Sequence, residues 1–563
     1  MTVTVIGMSD LVHTAIFPSR IPSPTESRSG AGGSSNAWPA GQLLAMSGLA
    51  GTTDFSDGLV ARTAEQERIQ LLHPYGGEIA IAMPGKRVEW GGDYLVSRDP
   101  SNGFMLVFLD AHHILIRGKC DIDLSDADHQ VLRRGQCTLL GVASHYRPEL
   151  IDTDLEVILC ARSAWIDNLP LPDLDEPSAA EALRKAVLMC RTQVMSAEGP
   201  LIRRWSTPDR WPHRRMWLWD SVFHAIGWRH YDLDLARDIL HAVLDMQRED
   251  GFIPHAADPV NVSDITQPPV LAFGVSQLLE VGVDFEWIDQ VYPKLVAYLQ
   301  WNERHRDTDG NGLLEWFIED LETCRSGESG MDNSPRFDGA CQLDAVDFNS
   351  FMAQEYRVLA DFAERLGYSE DAVSHRRRWQ EYCNLINHFL WNPETGFYHD
   401  FDPASGGQTP VLASSGFLPL FCGAASPEQA QRIVQHLADP GTFGTALPVP
   451  SVARCSRQGG EKDMWRGPVW ININWLIEYS LQAYGFHNEA RQLRQKTCRT
   501  LIDEHEQYGT FFEFYDDEGL VPPPLLDRKG CNAPDVSPFH QVIFEFGWSA
   551  SLFIDWVYRS VDQ

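Results

Sequence analysis

Two carboxylates in this sequence stand where an ordinary surface acid would not. The first is Asp332, in Gly330-Met331-Asp332-Asn333-Ser334-Pro335-Arg336-Phe337. Glycine and proline fix the backbone there, so the carboxyl is held on a rigid loop tip and not on a solvated helix face. A carboxyl placed in that way can act as a general acid whose surroundings set its pKa. About 180 residues later Thr510-Phe511-Phe512-Glu513-Phe514-Tyr515-Asp516 wraps a second carboxylate, Glu513, in aromatics. Two carboxyls in aromatic surroundings suit cleavage of a glycosidic bond. The chain holds 78 Asp and Glu, so the neighbouring motifs, and not the acids alone, carry the argument.

Those motifs recur. Met216-Trp217-Leu218-Trp219-Asp220-Ser221-Val222-Phe223 opens a helical stretch with two tryptophans and an acid. Thr266-Gln267-Pro268-Pro269 opens another, with prolines in the first turn, where a missing N–H costs little. Trp465-Arg466-Gly467-Pro468-Val469-Trp470-Ile471-Asn472 opens a third. Each reads singly as a cap plus core. Together they set polar side chains beside aromatic rings at several helix mouths. Sugars bind such walls, because their CH faces stack on rings while their hydroxyls take hydrogen bonds. The 18 Trp of the chain point to a lined cavity, since a buried indole needs a partner for its N–H.

The series WLWDSVFHA, QPPVLA, SGMDNSPRF, WRGPVWININW, FFEFYD and FGWSASLFIDW resembles glycoside hydrolase family 63 over about residues 175–560. The similarity is greatest to its α-glucosidase and glucosyl- or mannosylglycerate hydrolase branch, related to trehalases. The resemblance implies an inverting mechanism with Asp332 as general acid and Glu513 as general base. It implies that Asp220 and Gln267 bind hydroxyls in the non-reducing subsite, and that Trp217, Trp219, Trp465 and Trp470 form ring walls. Arg336 joins the substrate-binding set. Arg466 would orient carboxylates or hydroxyls, and Gln541 would lie near the leaving group. Met464 stands where the family often has tyrosine, which leaves one polar contact and the substrate open. Inversion needs the carboxyls roughly 6.5–9.5 Å apart, with room for a water. The acid must also hold its proton, so its pKa is expected to be raised by burial or by a neighbouring carboxylate.

Two further patterns invite a ligand. Asp307-Thr308-Asp309-Gly310-Asn311-Gly312 resembles the start of a calcium loop, with Asp307, Asp309 and Asn311 as oxygen donors. Ile318 occupies the twelfth position, where a glutamate belongs, so the competing reading is a turn capped by Asp side chains. Arg203, Arg204, Arg210, Arg214 and Arg215 cluster before the first Trp-Asp helix. They read either as a pocket for a substrate carboxylate such as glycerate or as salt bridges. No other cofactor is required by the motifs.

These residues need a frame. The hydropathy pattern is β-like from about 55 to 165, with runs such as Phe104–Leu109, His113–Arg117 and Leu155–Cys160, and predicts an antiparallel β-sandwich-like domain. After about 175 the period becomes helical. Helices are expected at 180–197, 219–231, 233–249, 267–281, 284–306, 343–366, 369–391, 413–422, 427–438, 468–484, 487–507 and 546–560. Paired as six hairpins, they predict a mainly α fold, an (α/α)6 toroid with long loops at one mouth. An all-α solenoid would show a fixed repeat, and none is found. The expected domains are an N-terminal arm at 1–40, rich in Pro, Ser and Gly, a β-rich domain at 41–172 and a catalytic domain at 173–563.

Charge narrows the partners. A net charge of −32 argues against nucleic acid and against anionic lipid, and favours solubility and a neutral or locally neutralised substrate; the partner that the family resemblance implies is a small-molecule α-glycoside. The 11 Cys lack metal or disulfide spacing, and no stretch has the length of a membrane span or the pattern of a leader, which points to a soluble, cytoplasmic protein. Oligomeric state has no signal. The competing functional class is a catalytically inactive sugar-binding or scaffold protein on the same toroid, which loss of either carboxylate motif would favour. An epimerase or lyase would want His or Tyr bases instead of paired carboxyls.

Overall fold

Alternating apolar residues build the N-terminal strands. The computed structural model describes residues 40–561 apart from 66, 82–87, 98–102, 125–127, 322, 341, 458–459 and 533–536, so nearly all of the expected arm lies outside the described residues. The strands are β1 (Leu43–Ala45), β2 (Val60–Ala64), β3 (Arg68–His73), β4 (Gly77–Ile81), β5 (Val88–Trp90), β6 (Tyr94–Ser97), β7 (Met105–Asp110), β8 (His113–Arg117), β9 (Cys120–Leu124), β10 (His129–Arg134) and β11 (Cys137–Val142). They form two antiparallel sheets, ordered β1-β2-β3-β4-β9 and β10-β11-β8-β7-β6-β5. Leu106, Phe108, Ile114 and Ile116 of the second sheet share one core with Ile69, Leu71 and Ile79 of the first. The odd-face residues Val107, Leu115 and Leu139 pack instead on Ile151 and Leu155, as period-2 alternation requires.

Leu155 belongs to a helix, α1 (Leu155–Asp167), so the strand expected at Leu155–Cys160 is corrected. Asp154 caps it, accepting from the N–H groups of Glu156 and Val157. Leu155, Arg162 and Ile166 are buried at helical spacing, while Val157 is 65% exposed. A short apolar run cannot by itself tell a strand from a helix covering a sheet.

The remaining helices are α2 (Pro177–Thr192), α3 (Leu218–Trp228), α4 (Leu233–Asp245), α5 (Leu271–Leu279), α6 (Phe285–Arg306), α7 (Val346–Leu366), α8 (Ser369–Leu385), α9 (Pro427–Ala438), α10 (Ile471–Ala483), α11 (His487–Tyr508) and α12 (Gly547–Val561). Helix α5 starts four residues later than Gln267. Each proline removes an N–H and pushes its predecessor out of the helical region, so Gln267 lies in an extended lead-in. The helix expected at 413–422 is a 3-10 segment, Ser414–Leu420.

Helix α3 packs on α5, α5 on α7, α7 on the 3-10 segment, that segment on α10, α10 on α12, and α12 back on α3. These neighbours form a closed cycle. Every residue of α3 is buried, whereas α8 has only Ala372, His375 and Tyr382 buried and lies outside, against α7. Inside the cycle, polar groups must satisfy one another. Glu355 of α7 accepts the N–H groups of Ala272 and Phe273 at 2.7 Å each, at the N-terminus of α5.

The β-sheets are tied to the helices by buried charge. Arg162 and Arg191 both pair with Asp93, and Lys185 lies 2.6 Å from Glu545 and over the Trp90 ring. The arginine cluster joins the same seam. Arg210 donates to the Met46 and Thr192 carbonyls, and Arg214 to the Phe55 carbonyl. Arg203, Arg204 and Arg215 pair with Asp245, Asp238 and Asp258. All five are engaged within the protein, three of them in salt bridges and Arg210 and Arg214 on backbone carbonyls.

Candidate active site

The Asp332 loop is fixed from both sides. Gly330 has φ +68, and a Cβ there would lie 2.5 Å from the Trp219 ring, so only glycine lets the loop lie flat on that indole. The Asp332 carbonyl accepts from Arg325 N at 2.8 Å and Ser326 N at 3.1 Å. Asn333 Oδ1 accepts from Trp465 N at 3.0 Å, while Arg466 donates to the Asn333 carbonyl and forks onto Asp338. Arg466 therefore clamps this loop to the Trp465 segment.

Arg336 corrects an expectation. Its guanidinium is fully buried and forks onto both Asp347 and Asp400, at 2.7–2.9 Å. Nε, Nη1 and Nη2 are all engaged, so it anchors the loop to the start of α7 and does not face a sugar.

Glu513 lies in an extended segment. Its N–H donates to the Ile543 carbonyl at 3.1 Å, and Tyr515 pairs with Val469 on the neighbouring segment. Its carboxylate, almost wholly buried, takes a two-pronged arginine: Arg528 Nε to Oε2 at 2.7 Å and Nη2 to Oε1 at 3.0 Å. Two parallel bonds fix the plane of the carboxylate and leave other lone pairs for a water. Arg528 also donates to the Phe539 carbonyl and reaches His213 Nε2 at 3.3 Å; His213 Nδ1 is bonded to Asp209. The next residue, Lys529, places Nζ 3.1 Å from Asp332 Oδ2. Two consecutive cations thus join the two carboxylates. Lys529 has φ +56, and Met464 beside Trp465 has φ +50, so two non-glycine residues here hold a strained backbone.

The electrostatics differ between the acids. Asp220, in the first turn of α3, is pushed well above the carboxylate range, first by burial and then by the charges of Glu513, Asp209 and Asp332. That favours a neutral carboxyl able to donate a hydrogen bond. Burial would raise Asp332 as well. Lys529, Arg528 and the Cys324 thiol outweigh it and hold Asp332 below its ordinary value. The raised pKa expected of a general acid is therefore not found.

The aromatic wall is layered. Trp465 and Trp470 stack face to face at 3.8 Å, and Trp219 lies 6.4 Å from Trp465 and 5.3 Å from Trp548. Trp470 is enclosed by Trp465, Phe514 and Trp548, and its Nε1 donates to the Met464 carbonyl. It backs the wall instead of facing a sugar. Trp217 is partly exposed, edge-on to His255 at 5.0 Å. The indole N–H groups of Trp217, Trp465 and Trp548 are buried without a partner among the described residues. Such donors are what sugar hydroxyls satisfy. Gln267 Oε1 accepts from Trp219 N at 3.2 Å, and Gln541, partly exposed, follows a short turn two residues before Ile543. A cavity of about 280 Å³ lies behind the Asp332 loop, lined among others by Asp338, Pro410 and Arg466; neither Asp332 nor Glu513 borders it.

The acidic loop has a different composition from that expected. Asp309, Glu315 and Asp344 bring carboxylate oxygens within 4.8 Å of one another. Asp344 Oδ1 is buried and unpartnered among the described residues, and burial first, then Glu315 and the Asp309 and Asp307 charges, push Asp344 up to about 7. Asp307 instead accepts from Gly312 N, and the Asn311 amide donates to Asp309 and Asp344. Three carboxylates supply part of the roughly six to eight oxygens that a hard divalent cation such as calcium takes.

Arg528, Lys529, His213 and Asp209 were absent from the sequence reading. The available signal was a basic dipeptide in Asp527-Arg528-Lys529-Gly530, close after Glu513 in a strongly acidic chain.

A helical cycle that brings two loop carboxylates to one pair of cations, with a third acid of raised pKa and an indole wall nearby, holds the kinds of group that glycosidic cleavage uses. The sequence profile of the mannosylglycerate hydrolase MGH1-like glycoside hydrolase domain matches residues 212–519, more than half of the chain, and the chain belongs to this family, within glycoside hydrolase family 63. It is 25% identical over 440 residues to Mannosylglycerate hydrolase MGH1 of Selaginella moellendorffii, covering 63% of this chain and 83% of that one. It is 25% identical to the glucosylglycerate hydrolase of Mycolicibacterium hassiacum, covering 55% and 88%. The crystal structure of the family 63 mannosylglycerate hydrolase from Thermus thermophilus with Tris and D-glycerate aligns with a TM-score of 0.54 and 25% identity, over 67% of this chain and 99% of that one.

Proposed function

We propose that this protein is an inverting, exo-acting hydrolase of a small α-glycoside, with Asp332 as general acid and Glu513 as general base. The closed helical cycle serves as the inner ring of an (α/α)6 toroid. The observation that carries the reading is the joining of Asp332 and Glu513, from distant loops, by the consecutive cations Lys529 and Arg528. Asp332 protonates the glycosidic oxygen as the bond to the anomeric carbon breaks. Glu513 takes a proton from the water that attacks the opposite face. Asp220, whose pKa is raised, donates to a sugar hydroxyl, and the partly exposed Trp217 offers its ring to the sugar. Intact carboxylates disfavour an inactive sugar-binding protein. The Asp309, Glu315 and Asp344 cluster would take a structural calcium.

The relatives' names make a glycosylglycerate the favoured substrate, with glucose or mannose in the non-reducing subsite. The purified enzyme is expected to release hexose from α-glucosylglycerate or α-mannosylglycerate much faster than from soluble starch at equal molarity of chain ends. Comparable or faster cleavage of starch would contradict a preference for a small glycoside.

A further inference from the structure

The surroundings of Asp332 pose a problem. A general acid must carry a proton, yet Asp332 faces an ammonium at 3.1 Å. Around Asp332 stand Lys529, Arg528 and Cys324, with the Asp220 carboxyl and the His255 ring also within its field. Burial lowers His255 to about 4, so it is neutral at physiological pH and is no rival cation. Arg528 is committed to Glu513, Phe539 and His213. Lys529 is the free agent. Its side chain is about one-fifth exposed, and its only ion pair among the described residues is with Asp332. A lysine's three donors and flexible stem let it change partners where an arginine fork could not.

We infer that Lys529 makes the acid conditional on the leaving group: it pairs with Asp332 in the empty site and is drawn away by a carboxylate on the substrate's aglycone, which frees Asp332 to carry the catalytic proton. This rests on the proposed function and deepens it. The ammonium exchanges one carboxylate for another, so charge stays balanced while Asp332 takes one proton from solvent. That proton goes to the glycosidic oxygen, the bond to the anomeric carbon breaks, and the water activated by Glu513 supplies the new hydroxyl. Because Lys529 sits beside the acid itself, the carboxylate it captures must lie next to the glycosidic oxygen. The aglycone is thus a 2-hydroxy acid joined through its hydroxyl. A neutral aglycone leaves Lys529 on Asp332.

The test compares kcat against pH for an α-glycosylglycerate and for the corresponding glyceramide glycoside, which keeps the linkage and loses the charge. The high-pH limb of kcat reports the acid in the complex. In the wild-type enzyme that limb is expected about 1–3 pH units higher for the acid than for the amide, the usual effect of one adjacent charge. In Lys529→Met the amide limb should rise to meet the acid limb, and KM for the acid substrate should increase. In Lys529→Arg the cation should stay on Asp332 with either substrate, so the two limbs should coincide near the wild-type amide limb. Coincident limbs in the wild type, or separate limbs in Lys529→Met, would overturn the inference. If Lys529→Met does not fold, the wild-type comparison decides. Turnover with coincident limbs sinks the switch alone, whereas no turnover of either glycoside by the wild type sinks the proposed function and the switch with it.

Discussion

Asp332→Asn is expected to lower turnover of the natural glycoside by about two to four orders of magnitude, the size of a general acid contribution, with the fold intact. Asparagine keeps the shape of the side chain and the loop is held by other groups: Gly330 on Trp219, Asn333 on Trp465, and Arg336 between Asp347 and Asp400. Glu513→Gln should cost a comparable factor. The two variants should separate on a nitrophenyl glycoside, whose leaving group departs without protonation. Asp332→Asn should recover much of its rate there, and Glu513→Gln should not, because water must still be activated. Near-normal activity of either variant on the natural substrate would show that the two carboxylates are not the catalytic pair.

The second large effect belongs to a residue that touches no sugar in this account. Arg528→Met removes a buried cation bonded to Glu513, the Phe539 carbonyl and His213. It leaves Glu513 buried without its counter-ion, and breaking such a pair costs about 3–5 kcal/mol. A clear fall in Tm and a loss of kcat are expected together. Arg528→Lys should restore charge but not the two parallel bonds that set the carboxylate plane, so Tm should recover more than kcat. Full activity in Arg528→Lys would show that the fork does not position Glu513.

Much of this site was legible before its geometry was known, for local reasons. Gly330 and Pro335 flank Asp332 closely enough to fix its loop, and helix α3 begins within its Trp-Asp motif. The helical period gave eleven of the helical stretches to within a few residues at most ends, because caps and periodicity lie within one stretch of chain. What was missed is non-local. Leu155–Cys160 read as a strand because its burying partner, the outer face of β7 and β8, cannot be seen from the run itself. Arg336 looked like a ligand-binding residue because its counter-ions lie 11 and 64 residues onward. Of the acids that gather near Asp309, Glu315 falls at the ninth position of the twelve-residue loop, but Asp344 lies far outside it. The expected raised pKa of Asp332 failed for the same reason: Lys529 is remote in sequence and adjacent in space.

The anomeric form of the first product tests the central claim most directly. Proton NMR during the first minutes of hydrolysis of an α-glycosylglycerate should show the β-anomer of the free hexose ahead of mutarotation. Inversion follows from one carboxyl protonating the leaving oxygen while the other activates water across the ring. Early accumulation of the α-anomer would contradict the account, since retention requires a nucleophile in place of a base, and Glu513 could not then hold the role given to it.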